Sequence, residues 1–360
     1  MSELEVIFEE WSPVCNINAF VEESDTCYYF YLWVNPESDS AVVKSCWIGN
    51  IGVSPEELDV EGMGEGIAPQ MPKQYVLHGE DGLKLDADKF GIVWFEEGNA
   101  AALLYDNEII SVIPGWSGYN GFNGYAKYAK GVTPLAWGLS DAYESLSKRV
   151  EESKAFWARF EEDFWTEAQS GYLAALEAFF GAYEKYYAID GGDFPPKALV
   201  RGSKDGVVYG ITAGVSLIPM PNVEMVYGDG FREYRRMELG FAVTAENEGL
   251  CNSAFSFMSG LSAFPWREDT FLAHGHTVPI NFIKGFEAVL FIDPKKLSGV
   301  EAPDYKECMG EKINLLWIVP ITGEEYRFIT EHDVDENLSY ARDIERIHIF
   351  DGENKFTGMP

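Results

Sequence analysis

Runs of β-branched and aromatic residues predict strands in the first third of the chain. Two segments, CYYFYLWV (27–34) and FGIVWF (90–95), are rich in β-branched and aromatic residues and are bounded by Asn-Pro, glycine and acidic turn residues. A third, AALLYDNEIISVIP (101–114), contains two apolar runs separated by Asp-Asn, a pair suited to a hairpin turn. We therefore predict that residues 1–139 form a β-rich domain, whose role the sequence does not indicate.

The apolar spacing becomes helical over residues 140–187. A first stripe of aliphatic and aromatic residues predicts a helix that Ser140 caps at its N-terminus. A second stripe begins at Leu173, and Gly171 lies between the two, so that two helices or one kinked helix fit the pattern. We predict that residues 140–171 form a long helical connector between two domains.

After Gly206 the spacing again favours strands, and an apolar segment at 250–266 predicts an interposed helix. The predicted strands are VVYGITAGVSLIPM (207–220), ELGFAVTA (238–245), FEAVLFID (286–293) and INLLWIVPIT (313–322). Strands and helices in this order predict an α+β fold with mixed or antiparallel sheets and flanking helices. The second domain is predicted to span residues 172–342, with residues 343–360 as a C-terminal tail.

The net charge of the chain indicates which kinds of partner to expect. The 360 residues contain 27 Lys and Arg against 59 Asp and Glu, which gives a net charge of −32. Residues 1–140 contain no arginine, and their 6 Lys and 22 acidic residues give −16. Such a field repels nucleic acid and anionic membranes and attracts basic proteins. Solubility alone is the other interpretation of the same charge.

The cysteines and the N-terminus indicate the compartment. The five cysteines are scattered, are odd in number and form no C-x-x-C pair, which argues against a disulfide framework and a zinc ribbon. The N-terminal segment is acidic, and no apolar run approaches the roughly 20 residues that cross a bilayer. We expect a cytoplasmic protein.

The sequence offers little catalytic chemistry. No G-x-S-x-G is present, and GWSGY (115–119) misses that pattern by one position. His274 and His276 form an H-x-H pair with metal-ligand spacing, but His-Gly-His-Thr also suits a structural turn in which His276 bonds to backbone. We predict no catalytic residue, metal or cofactor. A metal-assisted hydrolase that uses His274 and His276 remains the alternative.

One basic cluster interrupts the acidic background, in FREYRRMEL (231–239). On a strand, Arg236 and Glu238 would share a face and could pair, and Arg232 would follow the same alternation. The cluster is either an internal salt bridge or a fork that binds a client carboxylate. We name Arg232, Arg236, Glu238 and His276 as the candidate partner-binding residues.

Four segments, in order, resemble the suppressor-of-fused domain. They are ITAGVSLIPMP (211–221), similar to the family's Thr-x-Gly-Met-Ser turn; RRMELGFAV (235–243), similar to its Glu-Leu segment; HGHTVP (274–279), similar to its Gly-His-Thr turn; and LLWIVPITGEEYRFITEHDVDENL (315–338), similar to its closing strand and helix. Val215 stands where that pattern has methionine. The resemblance, to the bacterial type, extends over about residues 172–342.

The resemblance implies a non-catalytic protein-binding module. The animal member sequesters a transcription factor, and bacterial members have been proposed as immunity proteins that neutralise toxins. An exposed sheet edge would add a client strand through backbone hydrogen bonds, and the acidic field would favour a basic toxin as the client. A module that acts only within a larger assembly is a third reading.

Overall fold

The computed structural model describes residues 4–161, 164–332 and 334–358. The chain divides into two compact units, Met1–Glu162 with Trp266–Asp269, and Asp163–Pro265 with Thr270–Pro360. Helices accompany antiparallel and mixed sheets, so the α+β prediction is confirmed.

The first unit contains two sheets. A four-stranded antiparallel sheet has the order β1-β2-β3-β4, and a five-stranded sheet has the order β5-β6-β7-β8-β9. The elements are β1 Glu5–Trp11, β2 Ile17–Glu23, β3 Cys27–Val34, β4 Val42–Asn50, α1 Val60–Gly64, β5 Phe90–Trp94, β6 Ala101–Tyr105, β7 Glu108–Ile113, β8 Tyr125–Ala126, β9 Trp137–Gly138 and α2 Tyr143–Ala158. The predicted hairpin is confirmed, because Asp106 and Asn107 join β6 to β7 with positive φ angles of 50° and 65°.

Helix α2 closes part of the core of the first unit. Leu146 and Val150 pack with side chains of the five-stranded sheet, including Val93 and Val112. The predicted cap is wrong. Helix α2 begins at Tyr143 without a side-chain cap, and the Ser140 hydroxyl donates instead to the carboxylate of the neighbouring Asp141 (3.3 Å).

The second unit is built on one eight-stranded sheet. Its order is β10-β11-β12-β13-β16-β15-β14, and β17 pairs with β13. The elements are α3 Phe164–Phe180, β10 Lys185–Ala188, β11 Ala198–Lys204, β12 Val207–Ala213, α4 Val223–Tyr227, β13 Met237–Thr244, α5 Cys251–Leu261, α6 Phe264–Arg267, β14 Thr277–Pro279, β15 Ala288–Ile292, β16 Asn314–Ile321, α7 Gly323–Glu331, α8 Val334–Leu338 and β17 Ile349–Phe350. Trp266 and Arg267, the second half of α6, belong to the first unit. The four predicted strands of this region are β12, β13, β15 and β16.

The predicted helix to residue 187 is too long. Gly171 lies inside α3, which ends at Phe180, and Gly181 follows with a left-handed φ of 87°. Residues 185–188 then form β10, where Tyr186 and Tyr187 pair with Val200 and Leu199 of β11. The strand conformation of this segment depends on its pairing with β11, which the local spacing of apolar residues cannot show.

The segment predicted as a tail completes the second unit. Strand β17 pairs in parallel with β13, and Phe350 and Phe356 are buried. The backbone amides of Lys355 and Phe356 donate to the Glu325 carboxylate at 2.7 and 2.9 Å. The same carboxylate group forms a capping box with Thr322 at the start of α7, so one side chain joins a helix terminus to the end of the chain.

His348 is enclosed beside Trp317, with ring centroids 4.9 Å apart. Neither ring nitrogen has a hydrogen-bond partner among the described residues. Burial in these apolar surroundings lowers the pKa of His348 to about 4. The folded protein therefore keeps this imidazole neutral at a pH where the unfolded chain protonates it.

We expect the His348 imidazole to lower the free energy of unfolding by about 3 kcal/mol as the pH falls from 6.5 to 4, because only the unfolded chain binds the proton in that range. His348→Phe should remove this part of the pH dependence. Urea denaturation at pH 7, 5.5 and 4 measures it, with His332→Phe at an exposed position as the control. An unchanged pH dependence in His348→Phe would contradict the assignment.

Candidate partner-binding site

Glu238 is the centre of a buried hydrogen-bond network in the second unit. Its carboxylate accepts from the hydroxyls of Thr212 (2.6 Å) and Ser216 (2.7 Å) and from the backbone amides of Gly214 and Ser216 (3.0 Å each). Gly214 has a φ of 98°, a conformation that a side chain would strain, and this turn directs both amides at the carboxylate. Burial raises the pKa of Glu238, although these hydrogen bonds lower it in part.

Glu311 neutralises a cluster of arginines beside this network. Arg235 and Arg236 each donate from Nε to the same Glu311 oxygen at 2.8 Å, and both side chains are buried. Arg232, half exposed, donates to the other oxygen at 3.3 Å. Burial alone would raise the pKa of Glu311, but Arg235 and then Arg236 lower it below its usual value.

Arg236 also joins the two clusters. Its Nη1 donates to the carbonyl oxygens of Ser216 (2.9 Å) and Leu217 (2.7 Å), the turn that surrounds Glu238. The predicted pairing of Arg236 with Glu238 is wrong, because Arg236 pairs with Glu311. The arginine cluster does form an internal salt bridge, but its acidic partner is Glu311 and not Glu238. No motif marks Glu311, which lies 75 residues after Arg236.

The four candidate partner-binding residues are therefore not equivalent. Arg236 and Glu238 are enclosed and bonded within the unit, so a client cannot contact them in this conformation. Arg232 keeps half of its side chain exposed, and His276 lies directly before edge strand β14. Direct contact of Arg232 and His276 with a partner stays a prediction.

The His-Gly-His segment forms the predicted turn. The amide of His276 donates to the Ala273 carbonyl (3.1 Å), and its carbonyl accepts from Phe291 (2.9 Å). The His276 ring lies 5.2 Å from that of Phe271, and burial lowers the pKa of the imidazole. Nδ1 of His274 accepts from the Asp293 amide (3.0 Å). Across the described residues no three His, Cys, Asp or Glu side chains are grouped to hold a metal, so the hydrolase alternative lacks a third ligand.

The two edges of the eight-stranded sheet differ in their free backbone groups. At β14, the bonds from the Ile280 amide to Glu287 and from the Phe291 amide to His276 place residues 277 and 279 outward, and proline at 279 supplies no N–H. At β10, the Ile189 amide donates to Lys197 (2.9 Å). By the same alternation, the amides of Tyr186 and Ala188 point away from β11.

A groove runs between β10 and α5. It encloses about 270 Å³ and is lined by Tyr187, Ala188, Ile189 and Leu199 on the sheet side and by Asn252, Phe255, Ser256 and Ser259 on the helix side. Gly210 allows α5 to approach the sheet, because a Cβ there would lie 2.0 Å from Phe255 Cε1. The geometry is that of an edge strand beside a helix, which suits an added strand.

Comparison with known families identifies this unit. Residues 195–353 match the family described as "Suppressor of fused protein (SUFU)". This part of the chain is a suppressor-of-fused domain. The match covers less than half of the 360 residues, and no curated protein matches the chain. Within the described ranges, no helix is both long and apolar enough to cross a bilayer.

The suppressor-of-fused family consists of regulatory binding proteins, so this domain is a protein-interaction module. The match includes β11–β17, whereas β10 lies just before its first residue. Two of the segments that carry the resemblance meet at Glu238, which belongs to RRMELGFAV (235–243). The residues that surround its carboxylate come from ITAGVSLIPMP (211–221) and are Thr212, Gly214 and Ser216. These positions therefore stabilise the domain and leave client recognition to its surface.

Proposed function

We propose that this chain is a non-catalytic binding protein that captures an extended segment of a client by adding it as a strand to β10. The observation that supports this most directly is the open edge of β10 beside an apolar groove. The client backbone would pair with the outward groups of Tyr186 and Ala188. Alternate client side chains would then enter the groove, where Phe255 and Leu199 select apolar ones.

The client we propose is a basic toxin that is neutralised by occlusion in the cytoplasm. Two facts support this choice, the net charge of −32 and the suppressor-of-fused domain, whose bacterial members have been proposed as immunity proteins. An acidic surface accelerates association with a basic protein and disfavours acidic competitors. The complex should therefore weaken as the salt concentration rises.

Ala188→Pro should weaken client capture, because proline removes an outward amide of β10 and leaves the bonds to β11 intact. We expect at least about a tenfold loss of affinity, the equivalent of one or two backbone hydrogen bonds. The measurement is coexpression and copurification with the protein encoded by the adjacent gene, followed by titration calorimetry.

Thr277→Pro is the matched control, since it changes an outward amide on the opposite edge of the same sheet. Hydrogen exchange should show new protection at residues 186–188 in the complex. Equal client affinity in both proline variants, with no new protection of β10, would exclude strand addition at this edge.

A further inference from the structure

The outer face of the four-stranded sheet carries an exposed aromatic surface. Trp11, Asn18, Trp33 and Val43 lie opposite one another across β1–β4, so their side chains share one face. The next row on that face contains Phe20 and Tyr31, with ring centroids 4.9 Å apart. We call these residues the aromatic face.

Exposure distinguishes this face from the other. Trp11 is 54% exposed, Trp33 39% and Val43 53%, whereas residues of the same strands that point the other way, such as Phe30 and Leu32, are fully buried. Large apolar side chains clustered on one exposed sheet face are unusual unless a partner covers them.

The charges around the aromatic face are acidic. Glu9 and Glu22 lie on the same face as Phe20, and Tyr31 donates to Glu22 at 3.4 Å. Exposed Glu37 and Asp39 lie in the loop between β3 and β4, next to the row of Trp33. The one basic residue of the four strands, Lys44, belongs to the opposite face, where its ammonium donates to the Gly115 carbonyl (3.0 Å).

A polar group between the two indoles lacks a partner. Asn18 is 7% exposed, and its amide nitrogen makes no hydrogen bond within the described structure. It lies on β2, between the strands of Trp11 and Trp33, which are about 10 Å apart at two strand spacings. That nitrogen is itself buried, so the exposed rings on either side of Asn18, and not its amide, form the accessible surface.

We propose that the aromatic face binds an arginine-rich segment of a partner protein. A guanidinium group is planar and weakly hydrated, so it stacks on Trp and Tyr rings while it donates to carboxylates such as Glu9 and Glu22. Lysine satisfies the charge but does not stack in this way. Residues 1–140 contain no arginine, so no residue near the aromatic face in sequence supplies a guanidinium group to it. This surface belongs to the first unit and does not depend on strand addition at β10.

The test compares two blocked eight-residue peptides of equal charge, an Arg-Gly repeat and a Lys-Gly repeat, by titration calorimetry against the full chain. We expect the arginine peptide to bind about fivefold more tightly, the ratio typical of one or two exposed cation–π contacts. Trp33→Ala should remove this preference, and Trp33→Phe should restore most of it. Both peptides should bind more weakly as salt is added.

Tyr119→Ala, at an exposed aromatic residue outside the aromatic face, is the control and should leave the preference unchanged. Circular dichroism checks that each variant is folded, and the indole NMR signals of Trp11 and Trp33 in the wild-type chain should shift with the arginine peptide. Equal affinity for the two peptides, or an unchanged preference in Trp33→Ala, would overturn the proposal. So would sedimentation that shows a dimer which Trp33→Ala converts to monomers, because the face would then bind a second copy.

Discussion

Replacing Glu311 by glutamine is expected to lower the free energy of unfolding of the second unit by about 3–5 kcal/mol, the usual cost of leaving buried charges without their counter-charge. Arg235 and Arg236 are 2% and 1% exposed, and both donate to this carboxylate. Glutamine keeps the size and one acceptor but removes the negative charge. Urea denaturation followed by tryptophan fluorescence measures the loss.

Glu307→Gln is the control, because Glu307 is exposed in the same segment and should change stability by less than about 0.5 kcal/mol. A second variant, Arg232→Gln, removes the half-exposed arginine and should cost far less than Glu311→Gln. Similar stability of all three variants would show that Glu311 does not neutralise the buried arginines.

Glu238→Ala is expected to have an effect of similar size, about 3–5 kcal/mol, because four buried donors lose their acceptor at once. The donors come from Thr212, Gly214 and Ser216. Glu238→Gln retains one acceptor oxygen but directs an amide N–H₂ at donors, so its cost should be intermediate. Glu246→Ala, exposed just after the same strand, is the control.

The pH dependence gives a second readout for Glu238. Burial raises its pKa, so the folded chain holds a proton at a pH where the unfolded chain has released it. The stability from the protonated form is complete below the ordinary glutamate pKa and is lost as pH rises through the higher folded value. Glu238→Gln should lack this contribution, and identical pH profiles of wild type and variant would contradict it.

Local signals predicted the elements whose causes are local. The Asp106-Asn107 turn is set by residues adjacent in sequence, and it lies where the pattern places it. Strand β10 was not predicted, because four residues after a helix are too few to show the alternation of a strand. Its conformation depends on pairing with β11. Ser140 has a capping side chain but lies two residues before the N-cap position, Ala142.

The candidate site also depends on contacts between residues that are distant in sequence, which local patterns do not predict. The Arg235-Arg236 pair stands out in an acidic sequence, but its counter-charge Glu311 is distant in the chain and looks like any other glutamate. The groove depends on Gly210, whose missing side chain matters only once Phe255 lies over it. The family resemblance predicted the domain because it rests on several segments that are distant in sequence. It did not show that their most characteristic residues are enclosed.

The proline on β14 has a consequence for stoichiometry. A sheet with two open edges can extend at both, which allows chains to polymerise. Here proline removes one of the two outward amides of β14, whereas β10 keeps both of its outward amides. Once a strand has been added there, the site is filled. Two copies that paired through β10 would form a closed dimer and stop. The proline on β14 thus disfavours growth into a filament by strand addition at both β10 and β14.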